Sequence, residues 1–334
     1  MCGGSADSVP QAVLERMAAA GSLLVVTHAR PDGDGLGSMR ALALAARSAG
    51  KGAWMLVPDS VPARYQFLFA TEALQPAGRF AELAGRADLV VVLDTSVAGQ
   101  LDGLDRQLPA VADKLIVMDH HATPGELGGT LWNDPGAAAL GVMIAELIDA
   151  LGWPIDQDAR EALMTAIVSD TGWFRFSNTD GRCLRLAARL LEAGVRADSL
   201  YRRLFQSDRP ERLKLMARML QSLELHEAGR LAVMTIRKAD FADTGARPED
   251  TENLINEAMR IGSVEAVVLL VETDGHARVS LRSRKLLDVA EVAKRFGGGG
   301  HARAAGIRAS ETIDAIKPRI LKTIADELRR LTRL

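Results

Sequence analysis

Leu23-Leu-Val-Val-Thr27 runs directly into His28-Ala-Arg-Pro31-Asp32-Gly33-Asp34-Gly-Leu-Gly-Ser38. The first five residues are apolar or β-branched and stop at polar and helix-breaking ones, the pattern of a short buried strand. Pro31 and the glycines oppose regular structure, so a loop is expected here that folds back and brings His28, Asp32 and Asp34 to one strand end. An imidazole and two carboxylates so close together form a compact ligand set for a divalent cation. The same residues also suit an ordinary turn followed by an Asp-capped helix.

Two more short apolar runs carry chemistry at their ends. Leu89–Leu93 stops at Asp94-Thr-Ser, and Leu115–Met118 stops at Asp119-His120-His121. Helical patterns cover Ser38–Ala49, Gly136–Leu151, Asp156–Val168 and Asp180–Ala193, and the third of these runs into Ser169-Asp170. Alternation of this kind implies an α/β fold with a parallel sheet flanked by helices, whose sites collect at the carboxyl ends of the strands. Asp32, Asp34, Asp94 and Asp170 crowded together would repel strongly. Two divalent cations balance four carboxylates, and the imidazoles of His28 and His120 complete two coordination shells. Without cysteine ligands a structural zinc is disfavoured. Mixed carboxylate and imidazole donors favour Mn²⁺, with Mg²⁺ or Co²⁺ as alternatives.

Beyond residue 205 the pattern changes. Gln206–Leu225 reads as one amphipathic helix with Asp208 as N-cap and Pro210 in its first turn. It is expected to connect a catalytic domain (1–205) to a smaller α/β domain (226–334). In the latter, Leu231–Ile236, Val264–Val271 and His276–Leu281 read as strands, the last two paired across Thr273-Asp274-Gly275. Asp250–Arg260 and Asp288–Phe296 read as helices. Gly297–Gly300 then precedes His301. Backbone N–H groups in such a run can form an anion-binding concavity, so Gly298, Gly299, Gly300 and His301 are candidate substrate contacts. Arg282 and Arg284 are candidates to clamp a phosphate.

Composition narrows the function classes. The 334 residues are 48% hydrophobic and 25% charged, with a formal net charge of −2. That balance suits a globular chain and excludes strong non-specific attraction to long duplex DNA, whereas small anionic substrates remain compatible. Cys2 and Cys183 are the only cysteines, too few for a disulfide framework, so a reducing compartment is expected. Neither a signal peptide nor an apolar run long enough for a membrane span is visible. A cytoplasmic protein without membrane partners is the expectation.

The order of these pieces resembles the DHH phosphoesterase superfamily. They are His28-x-x-Pro31-Asp32-Gly33-Asp34, Asp94, Asp119-His120-His121 and Asp170, followed by Gly298-Gly299-Gly300-His301-x-x-Ala304-Ala305-Gly306, which resembles the signature of the DHH-associated C-terminal domain. The resemblance implies that His28, Asp32 and Asp94 hold one metal and that Asp34, Asp94, His120 and Asp170 hold the other, with Asp94 bridging. Such a pair can polarise phosphoryl oxygens. His121 would then touch the scissile phosphate or protonate the leaving oxygen, and Asp119 would orient a neighbouring histidine. Within the superfamily, chain length and the Gly-His signature resemble the nanoRNase branch. Its members degrade very short oligonucleotides and often remove the 3′-phosphate of 3′-phosphoadenosine 5′-phosphate. Cyclic di-nucleotide or linear dinucleotide phosphodiesterase, exopolyphosphatase and a catalytically silent nucleotide sensor are the alternatives. A homodimer is implied by the same resemblance. One departure stands out: Gly136-Ala-Ala-Ala139 occupies the place where relatives carry Ser and Thr before a helix.

Overall fold

The computed structural model describes residues 9–273 and 275–331. Cys2 and the Asp274 of the expected hairpin turn lie outside these residues. The chain divides at Ser207/Asp208 into two compact units.

The first unit is built on six parallel strands, β1 (Ser22–Thr27), β2 (Gly52–Val57), β3 (Gln75–Pro76), β4 (Leu89–Leu93), β5 (Leu115–Asp119) and β6 (Thr130–Asn133), in the order β3-β2-β1-β4-β5-β6. Its helices are α1 (Gln11–Ala19), α2 (Gly33–Ser48), α3 (Phe80–Arg86), α4 (Leu140–Leu151), α5 (Gln157–Asp170), α6 (Gly181–Glu192) and α7 (Ala197–Phe205). The central strands are apolar on both sides because both sheet faces are covered. Leu23 and Val25 join a core with residues of α2, α4 and α5, while Leu24 and Val26 join a second core with Phe80 and Leu83 of α3. The order of strand addition reverses between β1 and β4, parallel neighbours in direct register from Leu23↔Leu89 to Thr27↔Leu93. A crevice forms outside the carboxyl ends of the strands at such a switch point.

The glycines after β1 do not make a loop. Asp32 caps α2, its Oδ1 accepting from the Asp34 and Gly35 N–H groups at 3.0 and 3.1 Å, and the helix starts at Gly33. What the glycines supply is closeness. A Cβ on Gly33 would strike the Ser169 side chain, one on Gly35 the Thr27 hydroxyl, and one on Gly37 the Ala162 carbonyl of α5. The absence of side chains seats the first turns of α2 directly against α5 and β1.

The second unit holds α8 (Pro210–Gln221), β7 (Glu224–His226), β8 (Leu231–Ile236), α9 (Lys238–Thr244), β9 (Ala266–Thr273), β10 (His276–Ser283), α10 (Val289–Lys294), β11 (Gly299–His301), β12 (Ala304–Ala309) and α11 (Ile313–Leu331). Its sheet runs β11-β12-β10-β9-β8-β7 and is mixed, antiparallel except for β8 with β9. Ala277, Val279 and Leu281 face a core with Ile316, Ile320 and Ile324 of α11, and Val267, Leu269 and Val271 face another with Leu215 and Met219 of α8. Three expected elements are adjusted. The helix expected from Gln206 begins at Pro210 with Arg209 as cap, because Asp208 pairs with Arg212 Nε at 3.0 Å instead of capping. The helix expected over Asp250–Arg260 is two 3₁₀ segments, Pro248–Thr251 and Leu254–Arg260, separated by Asn253 at φ +61°. The helix expected from Gly136 begins at Leu140, since Ala139 is extended. Among the described residues no helix is long and apolar enough to cross a membrane.

Candidate metal centre

Five element ends of the first unit bring donors together. His28 follows β1, Asp32 and Asp34 open α2, Asp94 follows β4, Asp119 ends β5 with His120 and His121 after it, and Asp170 ends α5. Two ligand sets assemble from them, His28 with Asp32 and Asp94, and Asp34 with His120 and Asp170; in each the donor atoms lie within 4.8 Å of one another. Asp94 reaches both. Its Oδ2 is 3.5 Å from His28 Nε2 and its Oδ1 is 3.5 Å from His120 Nε2. His120 Nε2 is also 3.5 Å from Asp34 Oδ2 and 3.7 Å from Asp170 Oδ2. His121 can join Asp94 and His120 in a third set.

The imidazoles are turned for ligation by the backbone. His28 Nδ1 lies 2.9 Å from Ala29 O, and His120 Nδ1 lies 3.2 Å from Ala137 O. A carbonyl only accepts, so each Nδ1 carries the proton and each Nε2 points its remaining site at carboxylates. Asp94 Oδ1 is buried without a hydrogen-bond partner. A buried, orphaned carboxylate oxygen is costly unless something positive meets it. This donor set fits divalent cations of the Mn²⁺ or Mg²⁺ class.

Charge tells the same story. Burial opposes protonation of His28, but hydrogen bonds with Asp32 and Asp94 overcome it and push its pKa up to about 11. Burial likewise opposes the charge on His120, and Asp94, Asp34 and Asp170 raise it to about 10. Burial, followed by the neighbouring Asp94 and Asp170 charges, raises Asp34 well above the carboxylate range. Burial pushes Asp170 up to about 6 against the pull of His120, with Asp94 and Asp32 adding to the rise. Asp94, despite burial, is held well below the usual range by His120 and His28. The cluster gathers whatever positive charge it can.

Asp34 also has a structural task. Its Oδ2 accepts from Leu140 N at 2.6 Å and its Oδ1 from Gly141 N at 2.9 Å, while Ser38 Oγ donates to Oδ1 at 3.2 Å. Ala139 offers no cap to α4, and Asp34 satisfies two of its orphaned N–H groups from another helix. The alanines preceding α4 therefore leave its start capped through a candidate ligand.

Asp119 stands behind the candidate ligands. Its Oδ1 accepts from His121 Nδ1 at 2.7 Å and from the His120 and His121 N–H groups at 2.8 and 3.2 Å. Its Oδ2 accepts from Ser96 Oγ at 2.6 Å, and that hydroxyl also accepts from Gly125 N. Burial works against the Asp119 charge, but His121 and Ser96 keep its pKa low, and the Asp119 bond raises that of His121. Sequence reasoning missed Ser96 and also Asn178, whose Nδ2 donates to Ala138 O and Asp170 O at 2.8 and 3.1 Å. Nothing in a lone serine or asparagine marks such a partner in advance.

The candidate substrate residues all belong to the second unit. Gly299 and Gly300 pair with Gly306 and Ala305 in a tight hairpin. Gly298 and Gly300 are required there, since a Cβ would strike the Gly306 and Ala304 carbonyls respectively. His301 ends β11; its side chain lies outside the described set. Arg282 is partly buried on β10 and donates to Leu281 O at 3.1 Å. Arg284, expected as a phosphate clamp, already has backbone partners. Its guanidinium is committed to the carbonyls of Val264, Met259 and Ile261 at 3.0, 2.7 and 3.2 Å, bracing the loop before β9.

Residues 22–167 match the DHH family, N-terminal domain, and residues 229–330 match the DHHA1 domain. The Thermus thermophilus bifunctional oligoribonuclease and PAP phosphatase NrnA is 32% identical over 317 residues, covering 93% of this chain and 91% of that protein. An exopolyphosphatase-related protein from Bacteroides fragilis superposes with a TM-score of 0.89 at 23% identity, over 97% of this chain and 98% of that one. An exonuclease RecJ bound to manganese shares the fold with a TM-score of 0.53 at 18% identity, over 97% and 96% of the two chains.

Proposed function

This chain belongs to the DHH family and is a phosphoesterase, and from that premise we propose that it hydrolyses very short oligoribonucleotides and removes the 3′-phosphate from 3′-phosphoadenosine 5′-phosphate. The observation that carries the reading is the pair of adjacent ligand sets linked by Asp94, whose carboxylate oxygens lie 3.5 Å from His28 Nε2 and from His120 Nε2 and whose Oδ1 is otherwise orphaned. His28, Asp32 and Asp94 would hold one cation and Asp34, Asp94, His120 and Asp170 the other, Mn²⁺ being the ion that mixed imidazole and carboxylate donors favour. When bound, such cations supply positive charge against the negative charge developing on the phosphoryl oxygens.

The chain's own residues do the rest. The Asp119 bond raises the pKa of His121 and so favours its protonated form, and His121 serves as the general acid for the leaving oxygen. Asp119 and Ser96 fix the ring that delivers it. Arg282, Gly298, Gly299, Gly300 and His301 bind the remainder of the substrate, whereas Arg284 is left to the loop it braces. The two activities of the Thermus thermophilus relative support the substrate class, and a net charge of −2 supports small nucleotides over long duplexes. The same reading includes a homodimer, from the family resemblance, and a reducing, cytoplasmic setting, in keeping with a free, buried Cys183.

A panel in Mn²⁺ tests this reading, comparing di- to pentanucleotides, a long single strand, 3′-phosphoadenosine 5′-phosphate, cyclic di-AMP and polyphosphate. Turnover should be highest on the shortest oligonucleotides and on the 3′-phosphorylated nucleotide. Equal or faster digestion of the long strand, or preferential cleavage of polyphosphate, would overturn it.

A further inference from the structure

One face of the second unit's sheet carries cations that have no counter-ion among the described residues. Along β10, Ala277, Val279 and Leu281 point into the core under α11, so Arg278, Ser280 and Arg282 share the opposite face. On β12 the same alternation puts Ala304, Gly306 and Arg308 beside them, with Arg278 directly opposite Arg308 and Ser280 opposite Gly306. Like charges directly opposite one another on paired strands are destabilising. Elsewhere in this unit arginines find carboxylates, as in Arg237–Asp314 at 2.6 Å, Arg295–Glu327 at 2.7 Å and Arg329–Glu227 at 2.7 Å. Arg278 instead donates to the Thr251 hydroxyl and keeps a buried Nε without a partner. Burial, and after it the charge of Arg308, lower its pKa. Among the described residues no carboxylate lies within ion-pair distance of Arg278, Arg282 or Arg308.

The floor between the arginines is bare. Gly306 is opposite Gly299 in the next strand, and both are exposed. Neither has a positive φ. A Cβ on Gly299 would meet nothing within 4 Å, and one on Gly306 nothing nearer than 3.8 Å. The fold does not demand glycine at these two places, in contrast to Gly298 and Gly300. Glycine there does permit a ligand to lie close against the backbone. The arginine pair and Arg282 are four residues apart along β10, roughly 14 Å at about 3.4 Å per residue, more than one phosphate spans.

We propose that Arg278 and Arg308 form a distal anion clamp that takes the terminal phosphate monoester of a short nucleotide lying over Gly306 and Gly299, with Arg282 at the other end facing the next phosphate. Two guanidinium groups match a monoester carrying about −1.5 to −2 charges at neutral pH, whereas a single arginine matches a singly charged diester. The inference rests on the proposed function and names the chemical group by which a short substrate is held: a 5′-phosphorylated dinucleotide is favoured over its dephosphorylated form.

The test is binding to the full chain in excess chelator, by calorimetry, of a linear dinucleotide with and without its 5′-phosphate. Wild type should bind the phosphorylated form about tenfold to a hundredfold tighter, the effect of one charge-assisted contact to phosphate. Arg308 is exposed, so its variants are suited to retain the fold, checked by circular dichroism. Arg308→Ala should remove most of the preference, Arg308→Glu should abolish or invert it, and Arg308→Lys should restore part of it. Failure of wild type to bind either nucleotide or to prefer the phosphorylated one, or a preference that survives Arg308→Glu, overturns the clamp. Hydrolysis of both dinucleotides in Mn²⁺ with no such preference sinks the clamp and leaves the proposed function standing. A preference in binding with no hydrolysis of either does the reverse.

Discussion

Asp94 has a backbone φ of +64°, a region that costs a non-glycine residue on the order of 1–3 kcal/mol and persists only where the surroundings impose it. The surroundings here are β4 and β5, joined by the bond from Asp94 N to Met118 O at 2.9 Å, and the conformation aims one carboxylate at both imidazoles. Loss of that carboxylate would leave both proposed ligand sets incomplete. Asp94→Ala should therefore lower kcat on a dinucleotide by on the order of 10³-fold or more, given several kcal/mol of charge stabilisation from the bound ions. Retained turnover in steady-state assays would remove Asp94 from the centre. The histidines set a pH dependence with a definite sign. His28 and His120 have pKa values raised to about 11 and 10 in the cation-free cluster, so an incoming cation must displace their protons throughout the neutral range. Affinity should fall as pH falls, by about tenfold per unit for each proton released. Mn²⁺ titrations followed by electron paramagnetic resonance at pH 6.5, 7.5 and 8.5 read this slope; a flat profile would mean that neither imidazole is a ligand.

Helix α2 brings Asp34 to the centre and α5 brings Asp170, and the distance between those helices depends on missing side chains. A Cβ on Gly37 would lie 2.5 Å from Ala162 O and 2.8 Å from Ala166 N, both backbone atoms that cannot swing aside. Alanine gains roughly 0.5–1 kcal/mol over glycine within a helix, but overpacking costs about 1–3 kcal/mol, so the second effect wins. Gly37→Ala should destabilise the protein and weaken Mn²⁺ binding together. Gly85, exposed near the end of α3 with nothing within 4 Å, has only the first effect, and Gly85→Ala should raise the urea midpoint. Equal midpoints for the two variants would show that the α2–α5 contact yields freely. The same helix marks the limit of what the sequence discloses. Strand-end donors at His28, Asp94 and His120 are legible because short apolar runs stop at them. The glycines of α2 read as loop formers, since sequence alone does not distinguish a glycine chosen for conformation from one chosen for closeness. β12, written Ala304-Ala-Gly-Ile-Arg-Ala309, has weak strand propensity and is made a strand by its pairing with β10. α11 has Ile313, Ile316, Ile320 and Ile324 at helical spacing, obscured by Pro318. The commitment of Arg284 to three carbonyls is tertiary, and nothing in Arg-Ser-Arg separates it from Arg282.

Each unit has cores of its own, one pair around β1 and β4 and another around β9 and β10. Every proposed cation ligand, from His28 to Asp170, belongs to the first unit, whereas the glycine hairpin and the unpaired arginines belong to the second. A ligand stabilises the state that binds it by an amount set by its concentration over Kd, about 2.7 kcal/mol at a hundredfold excess. Mn²⁺ should therefore act on one unit alone. Hydrogen exchange followed on peptides resolves the two without separating them. At a hundredfold excess over Kd, amides of β1, β4, β5 and the start of α4 that exchange through opening of the first unit should slow by up to about a hundredfold, since 1.4 kcal/mol is a factor of ten. Amides of β8, β9, β10 and β12 should exchange as they do in chelator. Asp94→Ala supplies the control, because the slowing should disappear with the shared ligand while the second unit remains unaffected. Protection that rises equally in both units would mean that they open as one cooperative body, and protection confined to the second would place the cation site on the wrong half of the chain.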